Sequence, residues 1–324
     1  MIFAHVHPGQ AAGPGPAGMM NAVVALTAAL AYGAAAGRLR RRGDVWSRWR
    51  DTSFSAGSGA LAWAAVGPLP GGPFTAHMVQ HLIVGMAAPL LLVLARPLTL
   101  VLRALPPGAA RRGLLALAHS GAVGLLLFPP LAALLDAGGL WLLYRTELFA
   151  ALRHLPWLNA LVHAHVLAAG LLFTFAVCQL DPVSRRWGLR VRGATLLATG
   201  AAHAVLAKSV YAAGPPGTAF TTADLHTGAQ VMYYGGDLVE AALAVVLAGS
   251  WYAATGRART RHRARRPAPE AAVSLPAPAQ RRGVRWAQDT GFAGVEPVAH
   301  GPDDDASQPA GRGKPSRTSR TPGE

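Results

Sequence analysis

The sequence predicts an all-α polytopic membrane protein, a bundle of about seven transmembrane helices with its N-terminus outside and its C-terminus in the cytoplasm. Hydrophobic residues make up 52% of the 324 residues and charged residues only 14%, whereas soluble domains have about 25% charged residues. Several apolar stretches reach about 18 residues, the length needed to cross a hydrocarbon layer of roughly 30 Å. Arginine-rich linkers between these stretches indicate the orientation.

The predicted spans are continuous apolar runs, which are typical of helices and not of the alternating strands of a membrane β-barrel. The second run is short and rich in small residues, and its assignment depends on the charge pattern. The predicted spans are 20–37, 54–68, 74–95, 113–135, 157–179, 193–213 and 228–254.

The basic linkers fall on one side of the membrane if all of these spans are present. The opposite side then carries only Arg145 and Arg153, and the excess of positive charge identifies the cytoplasmic side. Without the 54–68 span, the later basic linkers would lie opposite the first one. The basic linkers are 37–50, 96–112 and 181–192.

Composition divides the chain into a short extracytoplasmic segment (1–19), a membrane domain (20–255) and a C-terminal tail (256–324). The tail is rich in Arg, Pro, Ser, Gly and Asp, and we predict that it is disordered because it has too little apolar area to offset its ordering entropy. Its arginine run at 257–266 suits anionic lipid head groups. No aromatic platform or DNA-binding fold supports nucleic-acid binding. No basic segment precedes the first apolar run, so we expect no cleaved signal peptide.

Ionisable residues inside the predicted spans indicate function, because such groups are costly in hydrocarbon. His77 and His81 are four residues apart, so they share one helix face about 6 Å apart along the axis. Asn159 and His163 have the same spacing. His165 lies about 200° around the helix from His163, so one site is not expected to use both. We therefore favour His163.

Further polar residues lie in the last two spans. His203 falls near the middle of its span, and Lys208 lies about one turn nearer the outside. Asp237 and Glu240 belong to one stripe of the final span. All of these groups are predicted in the outer half of the membrane, whereas His119 lies near the cytoplasmic end of its span.

This set of side chains predicts a metal site. Imidazole and carboxylate ligands suit copper, zinc or iron, and nearby methionines would favour Cu(I). A hydrogen-bonded network between helices and haem ligation remain alternatives. Asp237 fits a ligand, a counter-ion for Lys208 or a proton acceptor. The single cysteine, Cys178, excludes an internal disulfide and a CxxC motif. The predicted ligands are His77, His81, His163, His203 and Asp237, with Met78, Met86, Met232 and the N-terminal His5 and His7 as possible additions.

The stretch HMVQHLIVGMAAPLLLVLARPLTLVLRALP (77–106) resembles the signature of the CtaG-type cytochrome c oxidase assembly factors of bacteria, a multi-span family linked to caa-type oxidase. HAHVLAAGLLF (163–173) and DLHTGAQVMYYGGDLVE (224–240) extend the similarity over about residues 20–255. The resemblance implies a seven-span protein of the bacterial plasma membrane that is needed to make active haem–copper oxidase, with copper delivery or insertion as its expected role.

The family's motif histidines correspond to His77, His81 and His163, and its acidic position in the last span corresponds to Asp237. The family tends to carry a D-Q-Q run where this chain has Asp224-Leu225-His226, so the role of that segment stays open.

Three functions follow from these observations. The first is a non-enzymatic, copper-handling assembly factor whose partners are cytochrome c oxidase subunits and membrane lipids. The second is a transporter of a metal ion or protons that uses Lys208, Asp237 and Glu240 as a relay. The third is a membrane haem protein with two histidine ligands, such as His81 and His163. No nucleophile–base pair, phosphate loop or nucleotide motif supports an enzyme.

Overall fold

The computed structural model describes residues 15–152, 154–182 and 185–265, and every regular element in these ranges is helical, as predicted. They belong to the first of two units into which the chain divides, Met1–Arg266 and Pro267–Glu324. His5, His7 and the predicted tail beyond residue 265 lie outside the described residues. The helices are α1 (Pro16–Arg41), α2 (Arg48–Val66), α3 (Pro73–Leu82), α4 (Ala88–Leu94), α5 (Pro97–Ala104), α6 (Ala109–Ala118), α7 (Gly121–Leu126), α8 (Pro129–Arg145), α9 (Leu148–Ala151), α10 (Pro156–Cys178), α11 (Leu189–Ala212) and α12 (Thr222–Arg265).

Within the described ranges, four helical segments are long and apolar enough to cross a membrane. They are α1, the continuous rod Pro73–Leu94 that contains α3 and α4, α10, and the Thr222–Arg257 part of α12. Helices α2, α8 and α11 lie at or near the other predicted spans, and the count of seven spans and the orientation of the termini stay predictions. Because α12 continues to Arg265, the boundary predicted at residue 256 falls inside a helix.

The predicted continuous span 113–135 is wrong, because this region forms three helices, α6, α7 and α8. A new helix starts at Ser120, whose hydroxyl accepts a hydrogen bond from the Val123 N–H at 3.3 Å. Pro129 then starts α8, and the residue before it, Phe128, is extended. Proline has no N–H to continue a preceding helix and disfavours a helical conformation in the residue before it. The long apolar helix of this region is therefore α8.

A closed ring of helices surrounds the core of the bundle. The α3–α4 rod packs against α12 and α10, α12 packs against α11, α11 against α8, and α8 against α10. Helices α1 and α2 pack on each other outside this ring, against α5 and α4 respectively. Phe74, Met78 and Tyr144 belong to the apolar cluster near the start of α3, and Phe173 and Leu243 belong to a second cluster further along.

The α3–α4 rod contains a π-helical segment, Ile83–Ala87, directly after the residues that carry the histidine pair. Pro89 causes this irregularity, because it has no N–H to offer the Gly85 carbonyl four residues earlier. That carbonyl instead lies against Gly170 of α10, where a Cβ atom would overlap it. Single π-helical turns within helices occur frequently at functional sites. This one joins α3, which carries the histidine pair, to α4.

Candidate functional site

The start of α3 is held by a carboxylate from a distant helix. Asp224 of α12 accepts hydrogen bonds from the N–H groups of Phe74 and Thr75, at 2.9 and 3.0 Å, and from the Thr75 hydroxyl at 2.6 Å. The residue at the cap position, Gly72, has no side chain for this purpose, and its missing Cβ leaves room for the carboxylate. Asp224 therefore positions the first turns of the helix that carries His77 and His81.

Three of the predicted histidines line an outer cavity of about 20 Å³, which is room for about one water molecule. His77 Nε2 lies 2.9 Å from the Tyr144 hydroxyl. His163 Nε2 lies 3.2 Å from the side-chain carbonyl oxygen of Gln80. His81 completes this outer cluster, which joins α3, α8 and α10.

A second, inner cluster lies on the other side of His81. His203 of α11 places its Nδ1 3.5 Å from a carboxylate oxygen of Glu240 on α12. Asp136 of α8, Met86 and His81 line the same cavity of about 10 Å³. Two acidic groups thus accompany two imidazoles deep in the ring, an arrangement that suits a cation.

His81 and His203 stand out because each has a buried Nε2 atom without a hydrogen-bond partner. Their side chains are 6% and 4% exposed, and their ring centroids are 6.3 Å apart. Two imidazoles that share one ion through metal–nitrogen bonds of roughly 2 Å place their centroids about 6 Å apart. The spacing of the two rings thus matches the spacing of two ligands of one ion. Within the described part of the chain, no group of three His, Cys, Asp or Glu side chains forms a ready metal site.

Glycines on α11 and α12 make the space for the inner cluster. A Cβ atom at Gly236 would overlap the His203 ring, and one at Gly200 would overlap the Glu240 carboxylate. Each helix thus carries a functional side chain opposite a glycine of the other. This packing accounts for Gly236 in the GGD sequence of the last span.

A wide groove leads to the outer cluster. It encloses about 620 Å³ beside α1, α2 and α10, and His163 and Gln80 line it. Met20, Asn21 and Asn159 line the same groove and add polar and thioether groups to it.

The sequence profile described as "Cytochrome c oxidase caa3 assembly factor (Caa3_CtaG)" matches residues 30–254, a range that contains both clusters. The chain belongs to the Caa3_CtaG family. The resemblance predicted from residues 77–106 is thereby confirmed.

Curated relatives of this Caa3_CtaG chain occur in mycobacteria. It is 34% identical over 167 residues to Uncharacterized protein Mb0105 of Mycobacterium bovis, an alignment that covers 49% of this chain and 25% of the relative. It is 29% identical over 249 residues to Uncharacterized protein ML1998 of Mycobacterium leprae, which covers 70% of this chain and 38% of the relative. The chain thus spans well under half the length of these relatives. No solved structure matches it.

The Caa3_CtaG fold brings His77, His81, His163 and His203 around two adjoining cavities. It does not bring Asp237 to them, because the Asp237 side chain is exposed on α12. Successive helix residues turn by about 100°, so Asp237 points away from α11 when Gly236 faces it. Lys208 lies 5.4 Å from the centre of the Tyr233 ring. The acidic groups at the site are Asp136 and Glu240.

Asp136 and Tyr144 belong to the two clusters of this Caa3_CtaG chain but were not predicted from the sequence, and Asp136 is the ionisable acid of the two. Asp136 lies one position beyond the predicted 113–135 span and therefore fell outside the predicted membrane segments. A usable signal was present, because PPLAALLDAGGLWLL places a single acid inside an apolar run that starts with two prolines. Two prolines followed by such a run predict a helix start at Pro129 and an acid in its second turn.

Proposed function

We propose that this Caa3_CtaG protein is a membrane assembly factor for a caa3-type cytochrome c oxidase in the bacterial plasma membrane, and that it handles copper as its cargo. The family supports the assembly role. The buried, unpartnered Nε2 atoms of His81 and His203 support the copper role. Oxidase subunits are the proposed partners, and no catalytic activity is proposed.

The two pairs of histidines differ in a way that favours binding at the inner pair. His77 and His163 have hydrogen-bond partners at Nε2, so binding an ion there requires those bonds to break. A buried polar atom without a partner costs about 1–3 kcal/mol. An ion between His81 and His203 removes this cost at both Nε2 atoms. We therefore infer that His77 and His163 admit the ion and that His81 and His203 retain it.

The carboxylates of the inner cluster give the bound cation a counter-charge. Glu240 lies next to His203, and Asp136 lines the same cavity. A cation in a water-poor interior needs such partners, because burial of an unpaired charge is costly. Neither cavity, at about 20 and 10 Å³, is large enough for a porphyrin, so we do not propose haem ligation by His81 and His163.

The proposed topology has seven spans: α1, α2, the α3–α4 rod, α8, α10, α11 and α12. Four of these are long and apolar enough on their own, and the basic linkers support the orientation with the N-terminus outside. In this topology, the groove and the outer cluster face the exterior. Copper would then enter from outside the cell.

The copper proposal is tested by titrating the purified full-length protein with Cu(I) in competition with a chromogenic Cu(I) chelator. We expect His81→Ala and His203→Ala each to weaken Cu(I) affinity by about tenfold or more. His119→Ala is the matched control, because His119 is exposed and hydrogen-bonds only a carbonyl of its own helix. Equal affinity in all variants would show that the inner pair does not bind copper.

The assembly proposal has a separate test in cells. Deletion of the gene is expected to lower oxidase activity and the copper content of the oxidase, and wild-type protein is expected to restore both. If activity and copper content are unchanged by deletion, the assembly role is wrong whatever the protein binds in vitro. Complementation with His81→Ala then shows whether assembly depends on the copper site.

A further inference from the structure

A second large cavity lies at the opposite end of the bundle from the start of α3. It encloses about 650 Å³ where α4 and α10 end, where α11 begins and where α12 passes. Its lining includes the arginines Arg96, Arg186, Arg192 and Arg257 and contains no aspartate or glutamate among the described residues. Four guanidinium groups without a lining acid form a strongly cationic site.

The backbone of this cavity has an unusual conformation at two points. Arg96 and Gln179 have φ values of 55° and 47°, the only left-handed non-glycine residues in the described ranges, and both line the cavity. The side-chain oxygen of Gln179 accepts a hydrogen bond from the Trp187 N–H at 3.1 Å, which fixes that wall. Gln179 ends α10 and Arg96 separates α4 from α5, so these left-handed residues bring two helix ends to the cavity wall.

The charges inside the cavity are compensated only in part. Arg192 donates from Nη1 to the Val177 carbonyl at 3.0 Å, while its buried Nε has no hydrogen-bond partner. Burial, together with the nearby Arg50 guanidinium, lowers the pKa of Arg96. The nearby carboxylate of Asp181 offsets part of the Arg96 charge, and its Oδ1 accepts the N–H and the hydroxyl of Thr99 on α5. An anionic ligand would supply the missing negative charge.

The start of α11 adds hydrogen-bond donors at the same place. Gly188 occupies the cap position and offers no side-chain acceptor, and both Gly188 and Leu189 line the cavity. The first N–H groups of a helix and its dipole favour an anion. Guanidinium groups bind phosphate with two parallel hydrogen bonds, so a phosphate group suits both features.

The remaining walls of the cavity are apolar. Trp187, Trp251, Leu180 and Val246 line it beside the arginines. Tryptophan is typical of the membrane–water interface, and basic pockets between helices on the cytoplasmic side bind lipid head groups. We propose that this cavity binds a phosphate group and that its ligand is the phosphodiester head group of an acidic phospholipid. Inorganic phosphate has the same chemistry, and the experiment distinguishes the two sources.

The test uses full-length protein purified in maltoside detergent and titrated with phosphatidylglycerol, with lipid binding followed by native mass spectrometry and by tryptophan fluorescence. The variant Arg186→Gln/Arg257→Gln removes two exposed lining cations, and Arg111→Gln/Arg112→Gln on α6 removes the same charge elsewhere. We expect the first variant to lower phosphatidylglycerol affinity by about tenfold or more and the control to change it by less than about twofold.

The outcomes of this experiment distinguish a phospholipid ligand from inorganic phosphate. Displacement of phosphatidylglycerol only by other acidic lipids supports a lipid ligand, whereas displacement by millimolar inorganic phosphate identifies free phosphate as the ligand of the same site. Equal losses in both variants, or no loss in either, overturn the proposal. If the double variant fails to fold, the single variants Arg186→Gln and Arg257→Gln give the same comparison, with circular dichroism to confirm their helicity.

Discussion

At the scale of single residues, His81 has a position that no other residue of the site shares. Among the described residues, it is the only one that lines both the outer and the inner cavity. Its ring lies 6.3 Å, centre to centre, from both Tyr144 and His203. In the proposed function, it receives the ion from the outer cluster and shares it with His203, so loss of His81 removes both steps.

Asp224 gives a residue-scale prediction about stability. Asp224→Ala removes three hydrogen bonds to the start of α3, and loss of a helix cap typically costs about 0.5–2 kcal/mol. We expect a lower unfolding temperature in detergent and a smaller effect for Asp224→Asn, which keeps one side-chain oxygen. If Asp224→Ala unfolds at the wild-type temperature, the carboxylate does not stabilise α3.

Asp181 gives a prediction about pH. It is fully buried, and burial raises its pKa, an effect that the hydrogen bonds from Thr99 oppose only in part. The unfolded chain therefore loses this proton at a lower pH than the folded chain, at about pH 4. Hence stability falls as pH rises from that value through the raised pKa, and then levels off.

The variant Asp181→Asn tests this expectation because it cannot ionise. Between pH 4 and pH 8, the unfolding temperature of the wild type is expected to fall relative to that of the variant. The measurement is a pair of thermal unfolding series in the same detergent. A constant difference between the two proteins across this range would contradict the prediction.

At the scale of helices, the sequence predicted the positions of long, continuously apolar helices well. It predicted poorly the features that depend on contacts between distant parts of the chain. The rods at α1 and α10 were expected within about four residues at both ends, whereas α12 extends beyond its predicted span 228–254 at both ends, to Thr222–Arg265. Pro129 in the local sequence indicates the break before α8, but the predicted span 113–135 continued through this position. In contrast, the capping of α3 by Asp224 joins residues about 150 positions apart, which no local pattern reveals.

The packing of α11 on α12 gives an element-scale prediction. Gly200→Ala and Gly236→Ala introduce a Cβ into the Glu240 carboxylate and the His203 ring, and overpacking typically costs about 1–3 kcal/mol. We expect both variants to lower the unfolding temperature and the Cu(I) affinity.

Two glycines on the same helices provide matched controls. Gly193 on α11 and Gly249 on α12 have open space where a Cβ would lie. Alanine at these positions is expected to stabilise the helices slightly, by about 0.5–1 kcal/mol, because alanine has the higher helix propensity. An equal loss of stability at all four positions would show that helix–helix overlap is not the cause.

At the scale of the whole molecule, composition was enough to predict a helical membrane protein, and the 77–106 motif was enough to predict the family. Neither could show which helix faces meet. His77, His81, His163 and His203 meet because the ring brings three helices, α3, α10 and α11, together. Asp237, on a neighbouring position of the same stripe as Glu240, faces outward. Side-chain direction on α12 depends on its rotation against α11, which the packing of Gly236 sets.

The proposed topology predicts which surface cysteines react in intact cells. Ala219→Cys lies in the linker between α11 and α12 and should be labelled by a membrane-impermeant maleimide. Ala110→Cys, near the linker between α5 and α6, should be labelled only after the cells are broken. Both alanines are exposed, and the native Cys178 is buried. The reverse pattern would invert the proposed orientation.

The reciprocal fit of His203 against Gly236 and of Glu240 against Gly200 also limits how the protein can move. If α12 slid along α11 by one helical turn, about 5.4 Å, neither bulky side chain would still face the glycine that accommodates it. These two helices are thus interlocked in one register and should shift as a single body. The opposite wall of the site contains instead the irregular π-helical turn Ile83–Ala87 of the α3–α4 rod.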